Sequence, residues 1–365
     1  MKVLYDHQIF DEQKFGGISR YFANLIAGLN KENNTTALLS MLTTDNYYLK
    51  DKKRFALDNW MGRLLFSSKK KRTRLNKVYS KFCIRMGNYD VLHLTYFRPY
   101  FLKGTKAPVV ITVHDMIYEL FPEHFGPLDL TPQHKKIAVK NAAHIIAISE
   151  TTKIDLMRLL QVSEERISVV YHGHTPTINN NEPVMPLPAK YLLFVGGRDG
   201  YKNFKTFSGA VALIMKQDPE LHLVCTGGAV FQDTERAHLA ELGILDRCQQ
   251  YSVSDSSLYW LYKRATAFVY PSLYEGFGLT ILEAFEAECP VILSDTPSFV
   301  EVADEAAVYF NPNDEVQMAS AIMTVLGNSE LRQRLIVSGT ERLKLFSMEN
   351  CVAETIAVYQ KCLNK

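Results

Sequence analysis

Two carboxylates, Glu275 and Glu283, stand eight positions apart in YPSLYEGFGLTILEAFE, residues 270–286, on either side of a Gly-Phe-Gly turn. VYPS reads as the end of a strand, Glu275-Gly276-Phe277-Gly278 as a turn, and LTILEAFEA as the start of a helix. At 1.5 Å of rise per residue the two carboxylates lie up to ~12 Å apart. A glycosidase pair works across roughly 5 to 9.5 Å, so this spacing suits gripping opposite ends of a long ligand. Between them, the N–H groups of Phe277, Gly278 and Leu279 open the helix and can hold a diphosphate. A sugar at Glu275, a diphosphate in the middle and a ribose at Glu283 fit that order. Glu283 lies between Leu282 and Ala284 in an apolar run, which argues against a solvated helix position.

Other glycine turns offer related chemistry. In FGGISRYF, Gly16 and Gly17 follow the first strand and open a helix, where backbone N–H groups can approach a phosphate; an ordinary strand-to-helix turn is the alternative. FVGGRDGYKNF ends another strand and brings Arg198, a fork, and Lys202, a point charge, to a flexible loop suited to a diphosphate. Neither stretch is GxGxxG or GxxxxGK[ST], so nicotinamide and P-loop readings lose their support. His114 ends ITVHD and reads as a site residue or a core histidine, with Asp115 bracing its loop. His172 and His174 form an HxH without a third ligand nearby, and no Asp-x-Asp pair occurs, so no metal site is expected.

These loops need rigid elements behind them. MKVLYD, DVLHLTY, PVVITVHD, HIIAIS and ISVVYH alternate with amphipathic stretches at Gly17 to Leu29, Pro132 to Ala143 and Glu150 to Leu160. The rhythm restarts with KYLLFVGG, LHLVCTGG, QQYSVSD, TAFVYPS and PVILSD, each followed by a helical stretch. That is the pattern of two doubly wound α/β domains with parallel sheets, whose ligands bind beyond the carboxyl ends of the strands, in the cleft between them. We expect an N-terminal domain over 1–175, a Pro- and Asn-rich linker over 176–189 and a C-terminal domain over 190–348, with 349–365 returning to the first.

Composition limits the partners. The 365 residues carry 41 basic and 39 acidic side chains, so the chain as a whole is no polyanion binder, and no nucleic-acid fold signature appears. Six cysteines without a CxxC pair read as buried free thiols of a reducing compartment. With no signal peptide and no apolar run of ~20 residues, the chain reads as cytosolic. One segment departs from the charge balance: residues 52–85 hold twelve Lys or Arg and one acid, Asp58, with Trp60 and Leu64 to Phe66 beside Lys69-Lys70-Lys71-Arg72. Such a basic amphipathic helix suits the inner face of an anionic membrane or an anionic acceptor, and a solvated helical face is the alternative.

EGFGLTILE resembles the E-x7-E motif of retaining GT-B glycosyltransferases of the group 1 type, glycosyltransferase family 4. FGGISRY, ITVHD, IAIS at 146–149, FVGG…YKNF and VILSDTPSFVEVADEAAVYFNP at 291–312 resemble the same family in the same order, across both halves of the chain. The resemblance implies two Rossmann-like domains facing each other across a cleft, and transfer of a hexose from a nucleotide diphosphosugar to a saccharide or lipid-linked saccharide. It implies no cofactor and no metal. Glu275 would contact sugar hydroxyls, Glu283 the ribose, and Gly276 to Leu279 the sugar and phosphates. Arg198 and Lys202 would neutralise the leaving diphosphate, Gly16 and Gly17 would approach it from the other domain, and His114 would face the sugar. The base pocket would lie near Gly227, Gly228 and the YSVSD stretch around Val253. Many members have Arg-Lys-Asn where this chain has Tyr201-Lys202-Asn203, so the second cation of the clamp falls to Arg198. The combination resembles mannosyl- and deoxyhexosyltransferases of surface polysaccharide assembly, which implies GDP-mannose or a related GDP-sugar before a UDP-sugar. A nucleotide-sugar epimerase of the same architecture and a non-catalytic nucleotide-sugar binder are the other readings.

Overall fold

A computed structural model describes residues 1–52, 68–177, 186–198 and 200–364, so Trp60, Leu64 to Phe66 and most of the linker lie outside the described residues. Two compact units divide the chain: Met1–Gly173 with Ser347–Lys365, and His174–Phe346.

In the first unit, strands β1 (Lys2–Tyr5), β2 (Thr36–Leu39), β3 (Val91–Leu94), β4 (Val109–Val113), β5 (His144–Ala147) and β6 (Ile167–Val169) form one sheet ordered β2-β1-β3-β4-β5-β6. Every pairing is parallel. In the second, β7 (Tyr191–Val195), β8 (His222–Thr226), β9 (Cys248–Tyr251), β10 (Ala267–Tyr270), β11 (Val291–Ser294) and β12 (Ala307–Phe310) are ordered β12-β11-β10-β7-β8-β9, again all parallel. Apolar runs such as VVITV and YLLFV are buried at every position, as a sheet covered by helices on both faces requires. This is the GT-B architecture of two Rossmann-like, doubly wound α/β domains.

Strand order reverses between β1 and β3 in the first unit and between β7 and β10 in the second. At such a switch point the crossover helices diverge to opposite faces and leave a crevice beyond the carboxyl ends of the two strands. In the first unit the buried Asp6 closes the base of that crevice: its Oδ1 accepts from the Thr95 N–H at 3.0 Å and its Oδ2 from Gln8 Nε2 at 2.5 Å. Sequence reading missed β2 and β12, which are edge strands of four residues with half-exposed patterns. It also placed all six cysteines in the core, whereas Cys83, Cys248 and Cys362 are only partly covered.

The last helix, Met348–Leu363, packs on the first unit through a chain of buried polar atoms. The Tyr359 hydroxyl shares hydrogen bonds with the Tyr5 hydroxyl at 2.5 Å and His93 Nδ1 at 2.6 Å, and His93 Nε2 reaches Thr112 Oγ1 at 2.9 Å. Burial pushes the His93 imidazole down to about 3, so it stays neutral and shares these bonds without a charge. Gly173, where the chain leaves this unit, lies against the backbone of Met348, where it returns; a Cβ there would stand 2.6 Å from Met348 Cα. Removing the central hydroxyl should therefore loosen the first unit alone. Tyr359→Phe leaves two buried partners unsatisfied and should cost about 1–3 kcal/mol, read as faster amide exchange in peptides of Met1–Gly173 with His174–Phe346 unchanged. Equal exchange in both units, or none, would show that the network does not hold the helix.

Candidate active site

The switch point of the second unit gathers most of the expected residues. Gly196, Gly197 and Arg198 follow β7, Lys202 ends a short 3-10 turn over Gly200–Lys202, and Glu275 to Gly278 follow β10. Asn203 holds these two loops together: from a left-handed backbone at φ 59° its amide donates to Pro271 O at 3.1 Å and Pro312 O at 2.7 Å. Lys202 and Glu275, 73 positions apart in the chain, then meet as an ion pair with Nζ 2.5 Å from Oε1. Ser272 Oγ donates to the same oxygen at 2.9 Å, and Ser298 Oγ donates to the Glu275 carbonyl at 2.7 Å. Burial pulls the Lys202 pKa down, but the charge of Glu275 and the nearby Tyr270 and Tyr201 outweigh it, so the amine is held above its ordinary value and stays cationic.

Gly278 starts the helix Leu279–Glu286 at φ 114°, and a Cβ there would meet Ile281 Cδ1 at 2.8 Å. Only glycine lets the turn close tightly enough to point the helix start at the Glu275 loop. Glu283 lies in the second turn of that helix, half-buried, where its Oε2 accepts from Tyr262 OH at 3.4 Å. Tyr262 is pushed well above its ordinary pKa by burial and then by the Glu283 charge, so it remains a donor. The solvated-face reading of Glu283 does not hold.

Arg198, the expected second cation of the clamp, has protein partners of its own. Its guanidinium meets Glu235 at 2.6 Å, donates to Gly227 O at 3.3 Å and Ala229 O at 2.5 Å, and lies over the Phe231 ring. The fork therefore braces the loop after β8, and Lys202 is the cation beside Glu275. Gly227 in that loop, at φ 77°, packs on β7's turn so closely that a Cβ would stand 3.0 Å from Gly196 N. Val253 lies beyond β9, half-buried. Glu235, Tyr262 and Asn203 were missed, because nothing in sequence marks a polar residue whose partners are 21 to 109 positions away, and Ser272 was missed although its partner Glu275 is three residues on.

The remaining expected residues belong to the first unit. Gly16 and Gly17 open the helix Gly17–Leu29, with Gln13 Oε1 accepting from the Ser19 N–H at 3.1 Å. His114 follows β4 and stacks on His172 with ring centroids 5.4 Å apart and Nδ1 3.4 Å from His172 Nε2. Burial first, then the electrostatic penalty of protonating it beside His172, His93 and Lys135, holds His114 well below its ordinary pKa, and burial pushes His172 down to about 3. Both rings are neutral at pH 7. His114 Nε2 is buried and has no hydrogen-bond partner among the described residues. Asp115 braces the loop, accepting from the Ile117 N–H at 3.1 Å, while the buried Lys135 donates to the Asp115 carbonyl at 3.0 Å. His174, next but one to His172, belongs to the second unit and pairs with Glu286 at 3.3 Å, so the HxH is divided rather than shared. A cavity of about 450 Å³ lies in the first unit, lined by Tyr96, Arg98, Tyr118, Asp129 and His134.

The two doubly wound units, the second with a lysine–glutamate pair and a glycine-started helix at its switch point, have the architecture of GT-B enzymes. Residues 15–177 match the family model of Glycosyltransferase Family 4 and residues 178–342 that of glycosyl transferases group 1. The chain belongs to glycosyltransferase family 4. It is 28% identical over 275 residues to the O-antigen chain mannosyltransferase B of Escherichia coli, covering 72% of each chain. To the O-antigen chain mannosyltransferase RfbU of Salmonella typhimurium it is 30% identical over 244 residues, 66% of each. In fold it is similar to sucrose-phosphate synthase of Thermosynechococcus elongatus, at 19% identity, a TM-score of 0.73 and coverage of 99% and 98% of the two chains. Anabaena HepE, solved in complex with UDP and glucose, has 15% identity, a TM-score of 0.72 and coverage of 98% and 99%.

The ion pair makes a direct test possible. Lys202→Met strands the Glu275 carboxylate beside Ser272 and should destabilise the second unit by roughly 2–4 kcal/mol, somewhat less than the about 3–5 kcal/mol for breaking a fully buried pair, because both side chains keep some exposure. Adding Glu275→Leu should recover at least half of that loss. Additive losses in the double variant would mean that the two charges do not sense each other.

Proposed function

We propose that this enzyme is a retaining glycosyltransferase that moves a hexose from a nucleotide diphosphosugar to a saccharide or lipid-linked saccharide in surface polysaccharide assembly, without a metal. The observation that carries the reading is the Lys202–Glu275 pair at the switch point of the second unit. A cation kept charged in a largely buried place stabilises the negative charge that develops on a departing diphosphate, and it needs no reorganisation to do so. Glu275 takes the sugar hydroxyls, Glu283 the ribose, and the start of the helix Leu279–Glu286 the phosphates. Arg198 serves by positioning the Gly227 loop against the base. His114, neutral and with one ring nitrogen unmatched, offers a hydrogen bond to the sugar without competing for the phosphate charge.

Transfer proceeds on one face of the sugar. The acceptor oxygen bonds to the anomeric carbon as the bond from that carbon to the phosphate oxygen breaks, and the leaving nucleoside diphosphate takes the acceptor's proton. The aromatic cavity of the first unit, with Tyr96 and Tyr118 as flat apolar faces and Arg98 and Asp129 as polar ones, suits a saccharide acceptor. The relatives named as mannosyltransferases support a mannosyl donor, which we take to be GDP-mannose or a related GDP-sugar. We place the enzyme in the cytoplasm, in peripheral contact with an anionic membrane through the basic segment 52–85.

Two measurements test this reading. Glu283→Ala should weaken calorimetric binding of GDP and raise the donor KM, whereas Glu275→Ala should spare GDP and lower kcat by about 10- to 150-fold, the worth of a hydrogen bond to a charged group. The reverse pattern, or tighter binding of UDP than GDP, would overturn the assigned order or the assigned donor. Turnover should also persist in EDTA, since no Asp-x-Asp pair is available for Mg²⁺ or Mn²⁺. Complete loss in EDTA, restored by either ion, would sink the metal-free mechanism.

A further inference from the structure

The helix Lys69–Met86 carries eight cations and no acid. Its inner face is a column of Arg72, Asn76, Ser80 and Ile84, spaced four apart and buried. The column is specific: Arg72 pairs with Asp45 at 2.8 Å, Asn76 donates to Asp11 Oδ1 and Thr43 O at 2.9 Å, and Ser80 bonds Ser40 at 2.8 Å and Tyr100 at 2.9 Å. These bonds fix which way the helix faces. Arg72, though part of the basic run, therefore belongs to the fold and not to the surface.

The opposite face carries Val78, Phe82 and Met86, 61%, 59% and 64% exposed and again four apart. Lys71, Arg74 and Arg85 stand seven before, four before and seven after Val78, on the same face and exposed. The first turn, Lys69 to Arg72, opposes the helix dipole and holds no acid of its own; Asp45 answers Arg72 and leaves the exposed lysines beside it. An apolar stripe edged by cations, on a helix that gains from an external anion, matches a surface that is apolar inside and negative outside. We propose that this outward face docks flat on an anionic lipid bilayer, with Val78, Phe82 and Met86 at the headgroup–acyl boundary and Lys71, Arg74 and Arg85 on lipid phosphates. The proposal rests on the peripheral contact proposed above and moves it from Trp60 and Leu64 to Phe66, the apolar residues beside the basic run, to this stripe.

The test is sedimentation of the full chain with vesicles of phosphatidylcholine alone and of phosphatidylcholine with 30% phosphatidylglycerol, at low and high salt. Wild type should bind only the anionic vesicles, and less at high salt. Val78→Ser with Phe82→Ser should weaken that binding about tenfold or more, and Lys71→Gln, Arg74→Gln and Arg85→Gln together roughly a hundredfold. All five side chains are exposed, so the variants should keep the wild-type melting temperature. If the Val78/Phe82 variant binds like wild type while a Trp60, Leu64, Leu65 and Phe66→Ser variant does not, the stripe is overturned but the membrane contact stands. Failure of wild type to bind anionic vesicles at low salt overturns both. Loss with the charge variant only, and none with the apolar one, overturns insertion of the stripe and leaves electrostatic adsorption of the basic face on the headgroups.

Discussion

The Lys202–Glu275 pair, 2.5 Å between charges in a mostly covered loop, is the contact around which the second unit's site is organised. Taking two charges out of water costs more than their attraction returns unless the geometry is good and further hydrogen bonds complete it. Ser272 on the carboxylate and Tyr270 near the ammonium supply that completion. For the pair to form, the turns after β7 and β10 must come within a side chain's reach, which only adjacent parallel strands with diverging crossovers allow. Asn203, clamped to two carbonyls, and the 278 glycine then fix the turns themselves. A pair that gains little stability for its cost is what a site keeps when a ligand will share one of its members.

Electrostatics elsewhere support that arrangement by staying quiet. Arg198 is answered by Glu235, whose carboxyl is raised by burial but more than compensated by the guanidinium and the Gln232 N–H, so it lies below its ordinary value. Two charges cancel, and what remains is a rigid loop at Gly227. In the first unit His93, His114 and His172 are neutral by burial, and the polar chain through Tyr359 adds no net charge. The donor-side cation therefore acts without a competing positive field from within its own loops. In the first unit the helix Lys69–Met86 carries eight cations and no acid.

What the sequence determined by itself was whatever depends on residues close together along the chain. Burial on both faces demands continuous apolar runs, and with the strand-and-helix rhythm this made ten of the twelve strands among the described residues legible; the edge strands β2 and β12, four residues long, were not. Gly278, Glu275 and Glu283 were legible because a tight turn and one helix hold them within nine positions. The tertiary structure alone decided partners. It gave Lys202 to Glu275 and Arg198 to Glu235, split His172 from His174 between two units, and turned Arg72 inward while leaving Lys71 and Arg74 outside. Side-chain chemistry sets what a residue can bind, but a charge or hydrogen bond acts over a few ångströms of space. Which residues share those ångströms is fixed by the sheet order and the crossovers, and no local pattern encodes that.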